Sequence, residues 1–433
     1  MRAITVFRML GLLASTASVQ TRAESTFYLQ DGDRVVFYGD SITAQRLYTT
    51  SIETYVATRF PQLDVRFFTA GWDGDRVTGG FGGGIDVRLR RDVFAHRPTV
   101  MTIMLGMNDA SYCTFDSAIF DMYRKGYEHI IDSVKQKVPG IRMTLIEPSP
   151  FDDVTRPSDV RHGYNNVLVR YGRAVRKMAK RGRLDVADLN TPVVSALKNA
   201  TAFNAELSEK IIPDRIHPAA GGQLLMAEAL LKSWNAPGTV TAVEIDAANR
   251  RVMKAEGTKL MRLKDGNGTW RWTQLDAALP MPVDMNDPVT ALAVRSSDFV
   301  QALNRQPLKV TGLAAGRYLL TIDLKEVGTF TGEELAEGIN LAMLPTPMAN
   351  QAREVHKRTL QRSDAQFTRW RNVDVALANS KNRKVQKALP DLLARIIHEA
   401  SGSVTGEGSR ATVTDRQGGG VMGAARSAVP QAR

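Results

Sequence analysis

The chain has 433 residues, of which 43% are hydrophobic, with 57 Lys and Arg against 45 Asp and Glu and a single cysteine. That length and apolar content suit two or three domains with ordinary cores, and the lone Cys113 excludes an intramolecular disulfide. The net charge of +12 is spread along the chain with no nucleic-acid-binding motif, so basic runs such as Arg88–Arg91 and Arg176–Arg183 are expected to be solvated faces.

The first residues read as a leader. Arg2 and Arg8 precede the apolar Met9–Ala14, and small residues follow. This is the pattern of a secretory signal peptide over residues 1–23, with cleavage near Ala17 or Ala23, and it predicts a secreted or periplasmic protein. No later stretch is long and apolar enough to span a bilayer.

From there to about residue 236, short apolar runs alternate with helical patterns. The runs are Val35–Tyr38, Val65–Phe68, Val100–Leu105, Met143–Ile146 and Asp185–Leu189. They are continuous rather than alternating, as strands buried on both faces require. Ile119, Met122, Tyr123, Tyr127, Ile130, Ile131, Val134 and Val138 recur at helical spacing, as do Tyr164, Val167, Leu168, Tyr171, Val175 and Met178. Leu224, Leu225, Ala229 and Leu230 mark a closing helix. The alternation predicts a three-layer α/β/α sandwich around a parallel sheet over residues 24–236.

Four short blocks sit at or beyond the strand ends. Gly39-Asp40-Ser41 follows the first run, and Thr69-Ala70-Gly71-Trp72-Asp73-Gly74-Asp75 follows the second. Leu105-Gly106-Met107-Asn108-Asp109 follows the third, and Asp214-Arg215-Ile216-His217 lies far downstream. A serine hydroxyl is a weak nucleophile alone and a competent one beside an oriented imidazole. Asp40 and Ser41 also suit a helix cap, Asn108 a turn, and His217 a helix start; four such blocks in this order favour the catalytic meaning.

Together the blocks resemble the signature blocks of the SGNH hydrolases, also called the GDSL esterase/lipase family, over roughly residues 30 to 236. The resemblance implies Ser41 as nucleophile, His217 as its base and Asp214 as the group that orients His217. It implies an oxyanion hole from the backbone N–H of Ser41, the backbone N–H of Gly74 and the side-chain amide of Asn108. Gly71 is a rival for the role of Gly74, which is preferred because it precedes the acidic Asp75. The family's glycine block usually opens with Asn, where this chain has Thr69. The glycine run Gly79–Gly84 carries no Lys-Ser/Thr and is not a phosphate loop; it is either a flexible connection or a mobile wall of the cleft.

After Pro237 the pattern changes. Thr239–Ile245 and Thr269–Thr273 alternate as strands, and Leu308–Val310 with Gly316–Asp323 reads as a hairpin. Residues 237–345 are therefore expected to form a smaller β-rich accessory region. Trp270 and Trp272 lie on one side of their strand, with core packing favoured over sugar stacking. Residues 346–400 read as helical and 401–433 as a disordered tail.

The resulting expectation is a serine esterase working through an acyl-enzyme on short-acyl, O-acetyl esters of carbohydrates. The substrate class is small-molecule or polysaccharide ester, without metal, cofactor, nucleic-acid partner or membrane span. Lipase or thioesterase action on longer chains is the alternative, as is a carbohydrate-binding protein with a vestigial esterase site. Oligomeric state is left open.

Overall fold

The computed structural model describes residues 26–266, 268–378 and 384, and the backbone of 411–415. The signal-peptide reading of residues 1–23 and the helical reading of Leu389–His398 lie outside the described residues.

Five strands form the first sheet: β1 (Arg34–Gly39), β2 (Arg66–Gly71), β5 (Val100–Met104), β6 (Arg142–Ile146) and β7 (Asp185–Ala187). Between β2 and β5 a minimal hairpin pairs β3 (Gly79–Gly80) with β4 (Gly83–Gly84). The order is β2-β1-β5-β6-β7, and every pairing in this sheet is parallel. Flanking it are α1 (Ser41–Ala44), α2 (Leu47–Arg59), α3 (Ile85–Arg88), α4 (Ser117–Lys137), α5 (Tyr164–Gly182), α6 (Asn190–Phe203), α7 (Ala205–Ser208) and α8 (Ala220–Ser233). This is the expected α/β/α sandwich. Val35, Val36, Phe37 and Tyr38 are all buried, which is why their run shows no alternation. On α4 the predicted stripe is buried at Tyr123, Tyr127, Ile130, Ile131 and Val134, while Met122 faces solvent.

The later chain builds two further sheets. One, in the order β15-β12-β8-β9, contains β8 (Ala242–Asp246), β9 (Arg251–Glu256), β12 (Pro307–Thr311) and β15 (Ile339–Asn340). The other, in the order β10-β11-β16-β13-β14, contains β10 (Thr258–Gly266), β11 (Thr269–Asp276), β13 (Arg317–Ile322), β14 (Lys325–Thr331) and β16 (Ala411–Asp415). Their inner faces, with Leu335 of α11 (Gly332–Glu337), bury Val243, Ile245, Trp272, Leu308, Val310, Tyr318 and Leu320 in a second core. Trp272 is buried there and donates its indole N–H to Gln274, while the half-buried Trp270 packs against the same core.

One expectation is corrected here. Leu308–Val310 and Gly316–Asp323 do not pair; they lie in different sheets, and the hairpin partner of β13 is β14. The turn is Asp323-Leu324, both at positive φ (50° and 66°), the geometry that matches hairpin twist. Residues 411–415 form β16, which lies between β11 and β13. Thr412, Val413 and Thr414 are β-branched and suit a strand, and the pairing satisfies backbone groups on both neighbours.

The boundary near residue 237 is not a clean break. The helices α9 (Pro288–Arg295) and α10 (Phe299–Leu303) bury Leu292, Val294, Phe299 and Leu303 in the first core, not the second. The 23-residue α12 (Pro347–Arg369) begins on the second core, through Met348, Ala352 and Val355. Just past its end, Trp370 is 1% exposed within the first core. The short α13 (Val375–Ala378) follows.

Candidate active site

Register brings three of the four blocks together. Gly39 of β1 pairs with Gly71 of β2 on one side and with Met104 of β5 on the other, so residues just past all three strand ends emerge at one edge of the sheet. At that edge α1 begins, with Asp40 as its N-cap: its carboxylate accepts the Ile42 N–H at 3.0 Å. A Cβ built on Gly71 would sit 2.2 Å from Ala44 N, so the glycine lets α1 lie against β2.

The fourth block supplies an unbroken hydrogen-bonded chain. His217 Nε2 lies 2.8 Å from Ser41 Oγ, and His217 Nδ1 lies 2.6 Å from Asp214 Oδ2. The other oxygen of Asp214 accepts the backbone N–H of Ile216 at 2.9 Å and of His217 at 2.7 Å. Arg215, at φ 71°, makes the tight bend that allows this. Burial alone would raise the Asp214 carboxyl; the His217 and Ile216 N–H groups and the imidazole together hold it below the usual carboxylate range. The ring therefore faces a carboxylate on one nitrogen and a hydroxyl on the other.

On the opposite side stands the 72–75 turn. Asp75 N–H bonds back to the Trp72 carbonyl at 3.1 Å, with Gly74 at φ 67°, and Trp72 N–H bonds to the Gly39 carbonyl at 3.1 Å. The turn is thus tied to the end of β1, two residues before Ser41. Asn108 Nδ2 donates to the Asp75 carbonyl at 3.1 Å, and Asn108 Oδ1 accepts the Tyr112 hydroxyl at 2.9 Å. The two partners fix which end of the amide is which, because a carbonyl can only accept and the phenol here donates. Tyr112 in turn stacks on Tyr164 at 5.0 Å, whose hydroxyl donates to the Met107 carbonyl at 2.5 Å.

Beneath this turn lies a buried charged cluster that the sequence reading missed. Arg88 is fully buried, bonded to Asp75 at 2.9 Å, to Asp92, and to the Ala70 carbonyl at 2.8 Å. Tyr38 also donates to Asp75, at 3.2 Å. The expectation of a solvated face for Arg88–Arg91 is therefore corrected: Arg88 is interior, and Arg91 bonds Asp92 and the Gly82 carbonyl, leaving Arg90 as the exposed member. The i,i+4 spacing of Arg88 and Asp92 was a usable signal; the pairing with Asp75 was not. Burial pushes the Asp40 carboxyl up to about 7, opposed by the Ile42 N–H and reinforced by Asp109 and Asp75.

The glycine run is the β3–β4 hairpin, and its tip residue Phe81 is 87% exposed, with its ring where a Cβ on Gly74 would meet it at 2.9 Å. A cavity of about 730 Å³ between α2, α8, the 281–286 loop and α12 is lined by none of Ser41, Asn108, Asp214 or His217.

The chain is similar to known proteins. The model of the GDSL-like lipase/acylhydrolase family matches residues 37–225. An acetylxylan esterase of Geobacillus stearothermophilus is 24% identical over 225 residues, covering 46% of this chain and 93% of that protein. Residues 37–225 are therefore a domain similar to the SGNH hydrolases, and the chain is an enzyme that acts on ester bonds. The solved structure of a gut microbial diltiazem-metabolizing enzyme superposes on it with a TM-score of 0.75 at 26% identity, covering 90% of this chain and 99% of that one. Thr69, which stands where the SGNH hydrolases usually have Asn, lies within β2 and bonds Thr49 at 3.2 Å.

Proposed function

We propose that this chain is a serine esterase using Ser41, His217 and Asp214, and that it removes short acyl groups, foremost O-acetyl, from carbohydrates. The observation that carries the mechanism is the continuous Ser41–His217–Asp214 chain at 2.8 and 2.6 Å.

Ser41 Oγ attacks the ester carbonyl as its proton passes to His217 Nε2. Asp214 holds the ring through Nδ1 and stabilises the imidazolium that forms. The carbonyl oxygen gains negative charge, met by the N–H groups of Ser41 and Gly74 and by the Asn108 amide. A donor of this kind is worth about 3 kcal/mol in mutational tests. Gly74 suits the role better than Gly71, which is a strand residue packed under α1. The tetrahedral intermediate collapses, the alkoxide leaves with the proton from His217, and an acyl-Ser41 ester remains. Water then attacks the acyl-enzyme, giving its proton to His217; collapse releases the carboxylic acid and returns the proton to Ser41.

The acetylated-carbohydrate preference is supported by the acetylxylan esterase relative. Export to the periplasm or beyond is supported by the sequence pattern of residues 1–23. The test is hydrolysis of p-nitrophenyl esters from acetate to decanoate by the purified chain beside Ser41→Ala, followed by acetate release from acetylated xylan. Short-chain activity abolished in Ser41→Ala, with acetate released, is expected. Activity retained by Ser41→Ala overturns the mechanism, and a preference for long chains overturns the substrate class.

A further inference from the structure

The turn carrying Gly74 is gripped by a segment that comes after the hydrolase sandwich in sequence. The end of α12 and the residues after it, 363–371, lie along its backbone. Arg371 places its guanidinium 3.5 Å from the Trp72 ring centroid, donates to the Gly71 carbonyl at 3.2 Å, and stands 4.0 Å from Asp73. Trp370 meets Trp72 edge-on at 5.5 Å and donates its indole N–H to Asp92 at 2.9 Å, joining the buried cluster under Asp75. Gln366 donates to the Phe67 carbonyl of β2 at 3.2 Å. The same segment also holds the residue two places after α1: Arg46 pairs with Asp364 at 2.8 Å, donates to the Ser363 carbonyl at 3.1 Å, and lies over Phe367 at 4.4 Å. One stretch of chain thus touches the neighbourhoods of both Ser41 and Gly74. The family match ends at residue 225 and assigns nothing to it.

We propose that residues 363–371 are a clasp that fixes the Trp72–Asp75 turn, and that Arg371 is a positioning residue for the N–H of Gly74. The proposal rests on the esterase mechanism above. Trp72 is the lever: its N–H is bonded to Gly39 and its carbonyl closes the turn on Asp75. A guanidinium 3.5 Å from the indole centroid, with one N–H on the preceding carbonyl, restrains both the ring and the backbone. A loosened turn would lose the preorganisation of an oxyanion donor, an effect felt in the transition state more than in ground-state binding.

The test uses the full chain. Arg371→Met is expected to lower kcat for p-nitrophenyl acetate about tenfold with KM changed less than twofold, a loss of about 1.4 kcal/mol. In a Trp72→Leu background it should add little, because the two act through one contact. Arg371→Lys, which keeps the charge but lacks the guanidinium, should also lower kcat, and it carries the test if Arg371→Met does not fold. Hydrogen exchange of the peptide covering residues 68–78 should speed up in either variant. Unchanged kcat and unchanged exchange in a folded Arg371 variant overturn the clasp. Faster exchange with unchanged kcat also overturns it as a positioning device. Absence of Ser41-dependent activity in the unmodified chain would instead sink the esterase mechanism, and the exchange measurement would still decide whether Arg371 holds the turn.

Discussion

The two halves of the proposed active site are built by opposite means. The acid–base half is a single tetrapeptide, Asp214 to His217, in which one carboxylate caps two backbone N–H groups and holds the ring. It is partly open to solvent, with the Asp214 side chain 53% and the His217 side chain 28% exposed. The oxyanion half draws on residues 38, 72–75, 88, 92, 108, 112, 370 and 371, and its charged members Asp75, Arg88 and Asp92 are buried. The base is specified locally and the oxyanion side by tertiary structure. Damage to the first should therefore be chemical alone, and damage to the second chemical and structural together.

The largest expected effect is on the local half. His217→Ala should lower kcat at least ~10⁴-fold while leaving the thermal midpoint nearly unmoved. A large fall in melting temperature would break the comparison. Asn108→Ala should lower kcat ~10²- to 10³-fold, the usual scale for one oxyanion donor, in the same ester assay. Arg88→Met strands two buried carboxylates and should cost about 3–5 kcal/mol in a denaturant melt. A variant as stable as wild type would show that the buried cluster is not what supports the turn.

Smaller effects sharpen the contrast. Tyr112→Phe removes one hydrogen bond worth about 1 kcal/mol, so kcat should fall about fivefold with a stability loss of no more than about 1 kcal/mol. In an Asn108→Ala background the same substitution should do nothing further, because its only route to the reaction is the amide it holds. The last prediction concerns pH. The Asp40 carboxyl has a folded-state value of about 7 against 3.8 when unfolded, so the native state holds its proton more tightly. The stability this group contributes is full below about pH 4 and is lost as pH rises through 7. Asp40→Asn keeps the cap acceptor and cannot ionise, so its melting temperature should gain on wild type above pH 7 and show no such gain near pH 4.

Legibility in the sequence follows the same division. Ser41, Asp214 and His217 could be read because a strand end and a three-residue spacing are local facts. The sheet strands could be read because burial on both faces leaves an unmistakable apolar run. Arg88 was misread because a buried arginine looks like any other member of a basic run until its carboxylates are found, and Asp75 reaches it through the fold. Tyr112 had no signal beyond its nearness to Asn108. Arg371 sits in a polar helical stretch whose composition suggests a solvated surface. The pairing of β13 was misassigned because the run at Leu308–Val310 precedes it at a plausible hairpin distance, and alternation alone does not say which sheet a strand joins.

One feature also bears on time. The bond from Arg371 to the Gly71 carbonyl joins residues 300 positions apart, and that from Trp370 to Asp92 spans 278. Contacts this remote form slowly, since the chain must close a very long loop before it gains from them. In refolding from denaturant, helical signal should return first and ester hydrolysis after it, with the lag set by the docking of a segment that follows the whole hydrolase sandwich in sequence and buries Trp370 in its core.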